Sequence, residues 1–278
     1  MSGKVHGTIE FQPTNVGGPE KPVLAAIDVV FGRVGGKDLL LDLFRPAQAV
    51  ELALPVVVFC HGGGWGGGDK NTYHDLAARV ASRGYLCATP NYRLSGEAPF
   101  PAALEDCKCA VRWLRAHALE QGADADHFAA WGHSAGGHLA AMVAVTPGRL
   151  EGEGGWAEVS SAVQCALCFS TPFDLTDKTP GLVGIINRFI GPVADPESAQ
   201  RRASANTYAA GCKARFLLMH GEEDVLPIAQ SERFAADLRK AGAPFEFVRV
   251  PGAGHDLERF SPDIFARAAG FLDRHLRP

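Results

Sequence analysis

The run Gly132-His133-Ser134-Ala135-Gly136-Gly137 constrains this chain more than any other feature of its sequence. A short apolar run, Phe128 to Trp131, precedes it, and a helical pattern follows it. The pattern glycine-x-serine-x-glycine between a strand and a helix is typical of a strained turn that exposes a nucleophilic serine. We therefore predict that Ser134 lies at the start of a helix, where the helix dipole favours a developing negative charge. A small-residue turn selected only for close packing is the alternative.

A second glycine-rich segment, His61-Gly62-Gly63-Gly64-Trp65, directly follows the apolar run Pro55 to Cys60. Glycines let backbone amides turn toward a substrate oxygen, and a loop after this strand is where further oxyanion donors are expected. The predicted oxyanion hole consists of the backbone amides of Gly63, Gly64 and Ala135. Gly62 is expected to serve the turn itself, and a flexible loop is the alternative. A phosphate cradle is excluded, because Asp69 stands where a phosphate-binding loop carries lysine.

A nucleophilic serine requires a base. Among the ten histidines, His255 ends the glycine-rich loop Pro251-Gly-Ala-Gly-His255 after the last predicted strand, a position from which an imidazole can reach Ser134. His133 and His138 flank the serine, and we expect the turn and the helix to point them elsewhere. We interpret His61 as a residue that shapes its loop. The sequence therefore predicts His255 as the base.

The base in turn requires an acid that orients it. Asp224 follows the predicted strand Phe216 to His220, at the sheet edge where ligands gather. Its rivals are Glu222, Glu223 and, one strand earlier, Asp174. A helix N-cap ahead of Pro227 is the alternative role for Asp224. The predicted catalytic triad is Ser134, Asp224 and His255.

Strands and helices alternate along most of the chain, which predicts a mostly parallel, doubly wound sheet with helices on both faces. The predicted strands are residues 55–60, 85–90, 128–131, 163–170, 216–220 and 245–250. The predicted helices are residues 72–82, 104–118, 230–241 and 264–276, besides the helix that follows Ser134. Ala26–Gly32 and Lys37–Phe44 enclose Gly35-Gly36, which predicts an antiparallel hairpin at the edge of the sheet. The fold class is thus predicted as α/β.

The domain organisation follows from length and composition. A chain of 278 residues with 46% hydrophobic content can bury one large core, so we predict a single domain spanning residues 1–278. Thr171 to Tyr208 is rich in proline and glycine and contains one apolar helix-like patch, Leu182 to Ile190. This stretch predicts a small lid insertion that shapes the substrate pocket.

Four segments resemble the hormone-sensitive-lipase-like esterases of the α/β-hydrolase superfamily, namely His61 to Trp65, Gly132 to Gly137, His220 to Asp224 and Gly254-His255. They are more similar still to the branch of acetyl and feruloyl-type carbohydrate esterases. Pro90-Asn-Tyr-Arg-Leu94 also resembles a segment that supports the region beneath the active site in those families. The likeness runs from about Val29 to the C-terminus. The chain differs from the lipase-like group in two respects. His133 replaces the aspartate that usually precedes the nucleophile in that group, and the long N-terminal cap of that group is absent.

The resemblance implies an α/β-hydrolase fold and a serine carboxylesterase that hydrolyses small acyl esters through an acyl-serine. The implied reaction requires no metal and no organic cofactor, and Trp65 is expected to border the substrate pocket. An amidase, an arylformamidase or a peptidase would use the same triad, so the leaving group stays open. A non-catalytic binding protein with the hydrolase fold would lack a triad member, and all three are present here.

Charge and hydropathy restrict the partners of the chain. The net charge is −4 and no run of lysine or arginine forms a phosphate-binding stripe, so nucleic acid is not an expected partner. No apolar run approaches the roughly 18 to 20 residues of a membrane span, and Met1 to Gln12 lacks a signal-peptide pattern. We expect a cytoplasmic protein, or a secreted one if a signal peptide has been removed, and the oligomeric state is left open. The seven cysteines are expected to be reduced and packed.

Overall fold

The computed structural model describes residues 9–16, 21–48, 53–257 and 261–277. The strands in these ranges are β1 (Gln12–Thr14), β2 (Val23–Val34), β3 (Lys37–Pro46), β4 (Leu54–Cys60), β5 (Leu86–Pro90), β6 (Ala123–His133), β7 (Cys165–Phe169), β8 (Arg215–Gly221) and β9 (Phe245–Val250). The helices are α1 (His74–Ala81), α2 (Ala102–Ala116), α3 (Ala118–Gln121), α4 (Ala135–Val145), α5 (Val183–Ile190), α6 (Pro196–Arg202), α7 (Ala229–Ala241) and α8 (Pro262–His275). Short 3₁₀ turns occupy Lys70–Tyr73 and Ala205–Tyr208.

The strands of the described residues form one sheet in the order β1-β2-β3-β5-β4-β6-β7-β8-β9. Strands β5, β4, β6, β7, β8 and β9 run parallel, whereas β1, β2 and β3 are antiparallel to their neighbours. The predicted hairpin is β2 and β3, joined at Gly35 and Gly36, whose φ angles of 57° and 83° suit a tight turn. This confirms the predicted α/β class. The hairpin is not the outermost element, because β1 pairs with β2 beyond it.

The core lies on both faces of the sheet, as the continuous apolar run of β4 predicts. All seven residues of β4 are buried. Val56 and Val58 face one apolar cluster, which includes residues of α2, α4 and α7, and Val57 and Phe59 face the other, which includes residues of α1 and α8. Burial on both faces fixes the direction and register of β4, so the loop that follows Cys60 leaves the sheet at a defined point.

The stretch between β7 and β8 carries the insertion, defined here as residues 171–208. It contains α5, α6 and the second 3₁₀ turn, and the predicted apolar patch Leu182 to Ile190 corresponds to α5. In the described ranges, no helix is both long enough and apolar enough to cross a bilayer. Most of the segment Met1 to Gln12, on which the signal-peptide expectation was based, lies outside the described residues.

Candidate active site

Ser134 occupies a strained turn between β6 and α4, where the carboxyl ends of the central parallel strands meet. Its φ and ψ angles are 57° and −126°, a conformation that side-chain-bearing residues rarely adopt. Its backbone amide donates to the carbonyl of Phe169 at the end of the neighbouring strand at 2.8 Å. The turn therefore holds the Ser134 hydroxyl above the edge of the sheet, as the glycine-x-serine-x-glycine pattern predicts.

The flanking glycines are required because backbone atoms fill the space that a side chain would take. A Cβ atom on Gly136 would lie 1.9 Å from the carbonyl oxygen of Cys60, and one on Gly132 would lie 2.2 Å from the backbone of Gly136. A Cβ atom on Gly137 would lie 2.0 Å from Oγ1 of Thr171, the first residue of the insertion. The close packing that was the alternative explanation of the glycines is present, but it accompanies a half-buried serine that borders the cleft and does not replace it.

The structure brings Ser134, His255 and Asp224 together from three separate loops. Nε2 of His255 lies 3.0 Å from Oγ of Ser134, and Nδ1 of His255 lies 2.8 Å from Oδ1 of Asp224. The carboxylate of Asp224 is buried, whereas the imidazole of His255 is about one-third exposed. This geometry allows a proton to pass from the hydroxyl to the imidazole while the carboxylate holds the ring.

Asp224 is surrounded by donors that stabilise its charged form. Burial raises the pKa of Asp224, but contacts with His220 and His255 and the amide of Leu226 outweigh it and hold the pKa far below its usual range. Oδ2 lies 3.2 Å from Nε2 of the buried His220, and Oδ1 accepts the Leu226 amide at 2.7 Å. The Leu226 bond closes a local turn, and α7 begins only at Ala229, so Asp224 is not a helix cap.

The rival acids lie in other environments. Asp174 accepts hydrogen bonds from the amide and the hydroxyl of Thr176 at 2.9 Å and 2.7 Å, so its carboxylate closes a local turn. Glu222 and Glu223 are exposed. Of the four carboxylates considered from the sequence, Asp224 is the one bonded to His255.

The glycine loop after β4 supplies amides beside Ser134. Gly63 and Gly64 have φ angles of 111° and 59°, which glycine adopts without strain. In the described part of the chain, no backbone carbonyl accepts a hydrogen bond from the amides of Gly63, Gly64 or Ala135. These amides border the same cleft as Ser134 and can donate to an oxygen that enters it.

A cleft of about 930 Å³ opens above Ser134 and His255. One part of its wall is apolar and comes from the glycine loop after β4, the insertion and the turn after β8, namely Trp65, Pro172, Pro180, Leu182, Ile185, Val225 and Leu226. Another part comes from the region around α1 and carries the polar side chains of Thr72, Asp75 and Arg79. Trp65 borders the cleft, but its indole is almost completely buried and stacks on Phe189 of α5.

Three other histidines surround this site. His61 stacks on Tyr92 with ring centroids 4.0 Å apart, and the Tyr92 hydroxyl donates to the His61 carbonyl, which supports the loop-shaping role. His133 lies closer to the site than the sequence indicated, because its Nε2 is 2.6 Å from the carbonyl oxygen of His255. His138 is fully buried and contacts Trp65.

A buried ionic cluster beside the glycine loop was not anticipated from the sequence. Asp42 of β3 is fully buried, and both of its oxygens lie 2.7 Å from Nζ of Lys70. His74 contacts Asp42 at 2.7 Å, and Asp28 contacts Lys70 at 3.0 Å. These charges fix the start of α1 against the sheet. Asp28 and His74 are 46 positions apart in the sequence, so no local pattern predicted that these side chains would meet.

The cysteines of the described residues are free thiols, and only Cys212 is not fully buried. Burial raises the pKa of the Cys87, Cys165 and Cys168 thiols, which keeps them protonated. Within the same residues, no group of three or more histidine, cysteine, aspartate or glutamate side chains is arranged to hold a metal ion.

Comparison with known proteins reveals relatives that are similar in sequence. The chain is 31% identical over 254 residues to the esterase LipQ of Mycobacterium tuberculosis. The aligned region covers 88% of this chain and 60% of LipQ. It is 30% identical over 260 residues to the probable carboxylic ester hydrolase LipM of the same organism, which covers 90% of this chain and 60% of LipM. The chain thus spans about 60% of the length of these relatives.

A solved structure with a similar fold is esterase 2 of Thermogutta terrifontis phosphonylated by sarin. It superposes with a TM-score of 0.79 at 27% identity, covering 90% of this chain and 95% of that one. The sequence model of the BD-FAE family matches residues 41–238, a range that begins within β3, ends within α7 and includes the serine turn. These findings confirm the resemblance that the motifs indicated. The chain belongs to the BD-FAE family, an esterase family of the α/β-hydrolase fold.

Proposed function

We propose that this protein is a serine carboxylesterase that hydrolyses small acyl esters. The observation that carries the proposal is the continuous chain of contacts from Oγ of Ser134 through His255 to Asp224, at the floor of an open cleft. The esterase activity of LipQ and the phosphonylated state of the Thermogutta terrifontis esterase support it.

The proposed reaction has two acyl-transfer steps. As Oγ of Ser134 attacks the ester carbonyl, its proton passes to Nε2 of His255, and Asp224 stabilises the imidazolium that forms. The carbonyl oxygen becomes an oxyanion held by the amides of Gly63, Gly64 and Ala135. His255 then gives its proton to the departing alcohol, which leaves an acyl-serine. A water molecule loses a proton to His255 as it attacks this ester. His255 then returns the proton to Oγ of Ser134 as the acyl–oxygen bond breaks, and the carboxylic acid leaves.

The first test is Ser134→Ala, with Ser198→Ala on the exposed face of α6 as the matched control. We expect Ser134→Ala to lower kcat/KM for p-nitrophenyl acetate by roughly 10⁴- to 10⁶-fold while the circular dichroism spectrum is unchanged. A fluorophosphonate probe should label the wild type and Ser198→Ala and should not label Ser134→Ala. Retention of full ester turnover by Ser134→Ala would refute the proposed nucleophile.

The second test concerns the bond that is cleaved. Amidases and peptidases use the same triad, so p-nitrophenyl acetate and p-nitroacetanilide, which share an acyl group, should be compared on the same enzyme. We expect the ester to be hydrolysed and the anilide to be hydrolysed poorly or not at all. A higher kcat/KM for the anilide would identify an amidase.

A third test concerns metal ions. The proposed steps involve no metal, so ester turnover should survive prolonged EDTA treatment. Inactivation by EDTA that zinc reverses would contradict these steps.

A further inference from the structure

His138 lies one helical turn after Ser134 and is completely buried. Its backbone amide donates to the carbonyl of Ser134 at 3.0 Å, so its position is tied directly to the serine turn. The surrounding residues of α4, Leu139 to Val145, belong mostly to the apolar core. An imidazole in such a place is unfavourable unless both ring nitrogens have partners.

Both ring nitrogens of His138 are hydrogen-bonded, and the partners fix its protonation state. The indole Nε1 of Trp65 donates to Nδ1 at 3.2 Å, and Nε2 lies 2.6 Å from the carbonyl oxygen of Ala203. An indole N–H can only donate and a carbonyl can only accept, so Nδ1 carries no proton and Nε2 carries one. Burial lowers the pKa of His138 to about 4, which agrees with a neutral ring.

These two bonds join three parts of the site that are distant in sequence. Trp65 belongs to the glycine loop that presents Gly63 and Gly64, and Ala203 belongs to the insertion. Phe189 of the insertion stacks on the Trp65 indole with ring centroids 4.3 Å apart. The His138 ring stands nearly perpendicular to both aromatic rings, with interplanar angles of 87° and 88°.

The backbone of Trp65 requires this support. Its φ angle is 57°, in the left-handed region that bulky residues avoid, so neighbouring groups must hold it there. The stack on Phe189 restrains the plane of the indole, and the bond to Nδ1 of His138 restrains its rotation in that plane. The indole and the backbone of Trp65 share one Cα atom, so an indole that is held on two sides restricts the backbone conformation of Trp65 and the position of the peptide group that joins it to Gly64.

We propose that His138 is a positioning residue for the hydrolysis: its Nδ1 holds Trp65 so that the amides of Gly63 and Gly64 are aimed at the oxyanion. Its Nε2–H holds the insertion against the same loop through Ala203. This proposal rests on the esterase function proposed above. A displacement of about 1 Å in such a site can lower turnover by about a hundredfold, because the donors must meet the charge as it forms.

Two conservative variants separate the two ring nitrogens. The amide oxygen of asparagine can take the place of Nδ1, so His138→Asn preserves an acceptor for Trp65. Glutamine can extend its amide N–H₂ toward the Ala203 carbonyl, so His138→Gln preserves that donor and loses the Nδ1 acceptor. We expect His138→Gln to lower kcat for p-nitrophenyl acetate by about 10- to 100-fold with little change in KM, and His138→Asn to retain kcat within about threefold.

A trifluoromethyl ketone inhibitor measures the oxyanion hole more directly, since it forms a tetrahedral oxyanion adduct with the serine. Its Ki should rise for His138→Gln by about the same factor as kcat falls, and should stay near the wild-type value for His138→Asn. Equal Ki values for both variants and the wild type would overturn the proposal. The proposal would also be overturned if both variants lost kcat in proportion to the decrease in their thermal unfolding midpoints, because the loss would then reflect stability alone.

Trp65→Phe provides an independent test, because it removes the indole N–H and keeps a ring that can stack on Phe189. If the bond between Trp65 and His138 is responsible, Trp65→Phe and His138→Gln should lower kcat by similar factors, and the double variant should be little worse than either. Fully additive losses would contradict the proposal. A wild-type protein without ester turnover would instead refute the proposed function itself.

Discussion

Nδ1 of His255 lies 2.8 Å from Oδ1 of Asp224, and these two residues are separated by 31 positions in the chain. The bond links the loop after β9 to the loop after β8. Since the Asp224 pKa is held far below its usual range, the carboxylate of the folded protein is ionised at neutral pH. In the proposed reaction this carboxylate can therefore stabilise the imidazolium of His255.

Asp224→Asn should lower kcat by about 10³- to 10⁴-fold, because an amide cannot stabilise the imidazolium and can favour the wrong tautomer. Asp174→Asn and Glu222→Gln are the matched controls, and each should change kcat by no more than a factor of about three. Steady-state kinetics with p-nitrophenyl acetate would measure all three. If Asp174→Asn were the most damaging, the acid would lie one strand earlier than proposed.

Gly136→Ala should prevent normal folding of the serine turn. The new Cβ atom would lie 1.9 Å from the Cys60 carbonyl and 2.6 Å from that of His61, and backbone atoms of a buried strand end cannot move away cheaply. We expect a loss of at least about 3 kcal/mol in the free energy of unfolding, or insoluble protein. Gly184→Ala is the control, since no atom lies within 4 Å of its added Cβ. Urea unfolding of both variants tests this, and a stable Gly136→Ala protein would contradict it.

Asp42→Asn should destabilise the fold at neutral pH by about 3 to 5 kcal/mol, because Lys70 loses its buried partner. Burial raises the pKa of Asp42, but hydrogen bonds from His74, Lys70 and the Asp28 amide outweigh it, so the folded pKa is lowered. The carboxylate therefore contributes its full stability above the unfolded pKa of about 3.9, and this contribution is lost as the pH falls through the folded pKa.

The difference between wild type and Asp42→Asn should accordingly be largest near pH 7 and shrink below about pH 4. Asp38→Asn, on the same strand but in an exposed pair with Arg33, serves as the control and should have little effect. Urea unfolding measured at several pH values provides the comparison. Equal effects of the two substitutions, or a difference that grows on acidification, would show that the buried cluster does not stabilise the fold.

The preferred acyl chain should be short. Ile185 of α5 lies directly over the glycine loop, 3.1 Å from a Cβ atom built on Gly64, and Trp65 is held against Phe189 beside it. Each methylene that finds apolar contact contributes about 0.8 kcal/mol, close to a fourfold rate increase when it is expressed in the transition state. We expect kcat/KM for p-nitrophenyl esters to peak between acetyl and butyryl and to fall steeply by octanoyl.

Ile185→Ala should widen this part of the cleft and move the optimum toward longer chains, whereas Leu119→Ala, at an exposed position outside the cleft, should leave it unchanged. The same p-nitrophenyl ester series measures all three proteins. A wild-type profile that still rises at decanoyl would reveal a long acyl channel and a lipase-like preference.

Local sequence was sufficient to predict the helices and strands and most of the candidate site residues. The turn at Ser134, the glycine loop before Trp65 and the histidine after the last strand each carry their signal within a few neighbouring residues. The causes are local. Gly136 is needed because the backbone at the end of β4 lies within contact distance, and the sequence of β4 is apolar because the strand is buried on both faces. These patterns therefore predicted the fold class and the candidate nucleophile and base.

Tertiary structure alone decided which distant side chains meet. Asp224 and Asp174 both follow parallel strands in sequence, and only the placement of their loops brings Asp224 to His255. The bond between Trp65 and His138 spans 73 positions, and the contact of Asp42 with Lys70 joins a hairpin strand to a loop of the parallel sheet. Such pairings depend on strand order and register, which are set by burial of whole faces of the sheet and are not encoded in any short segment of the chain.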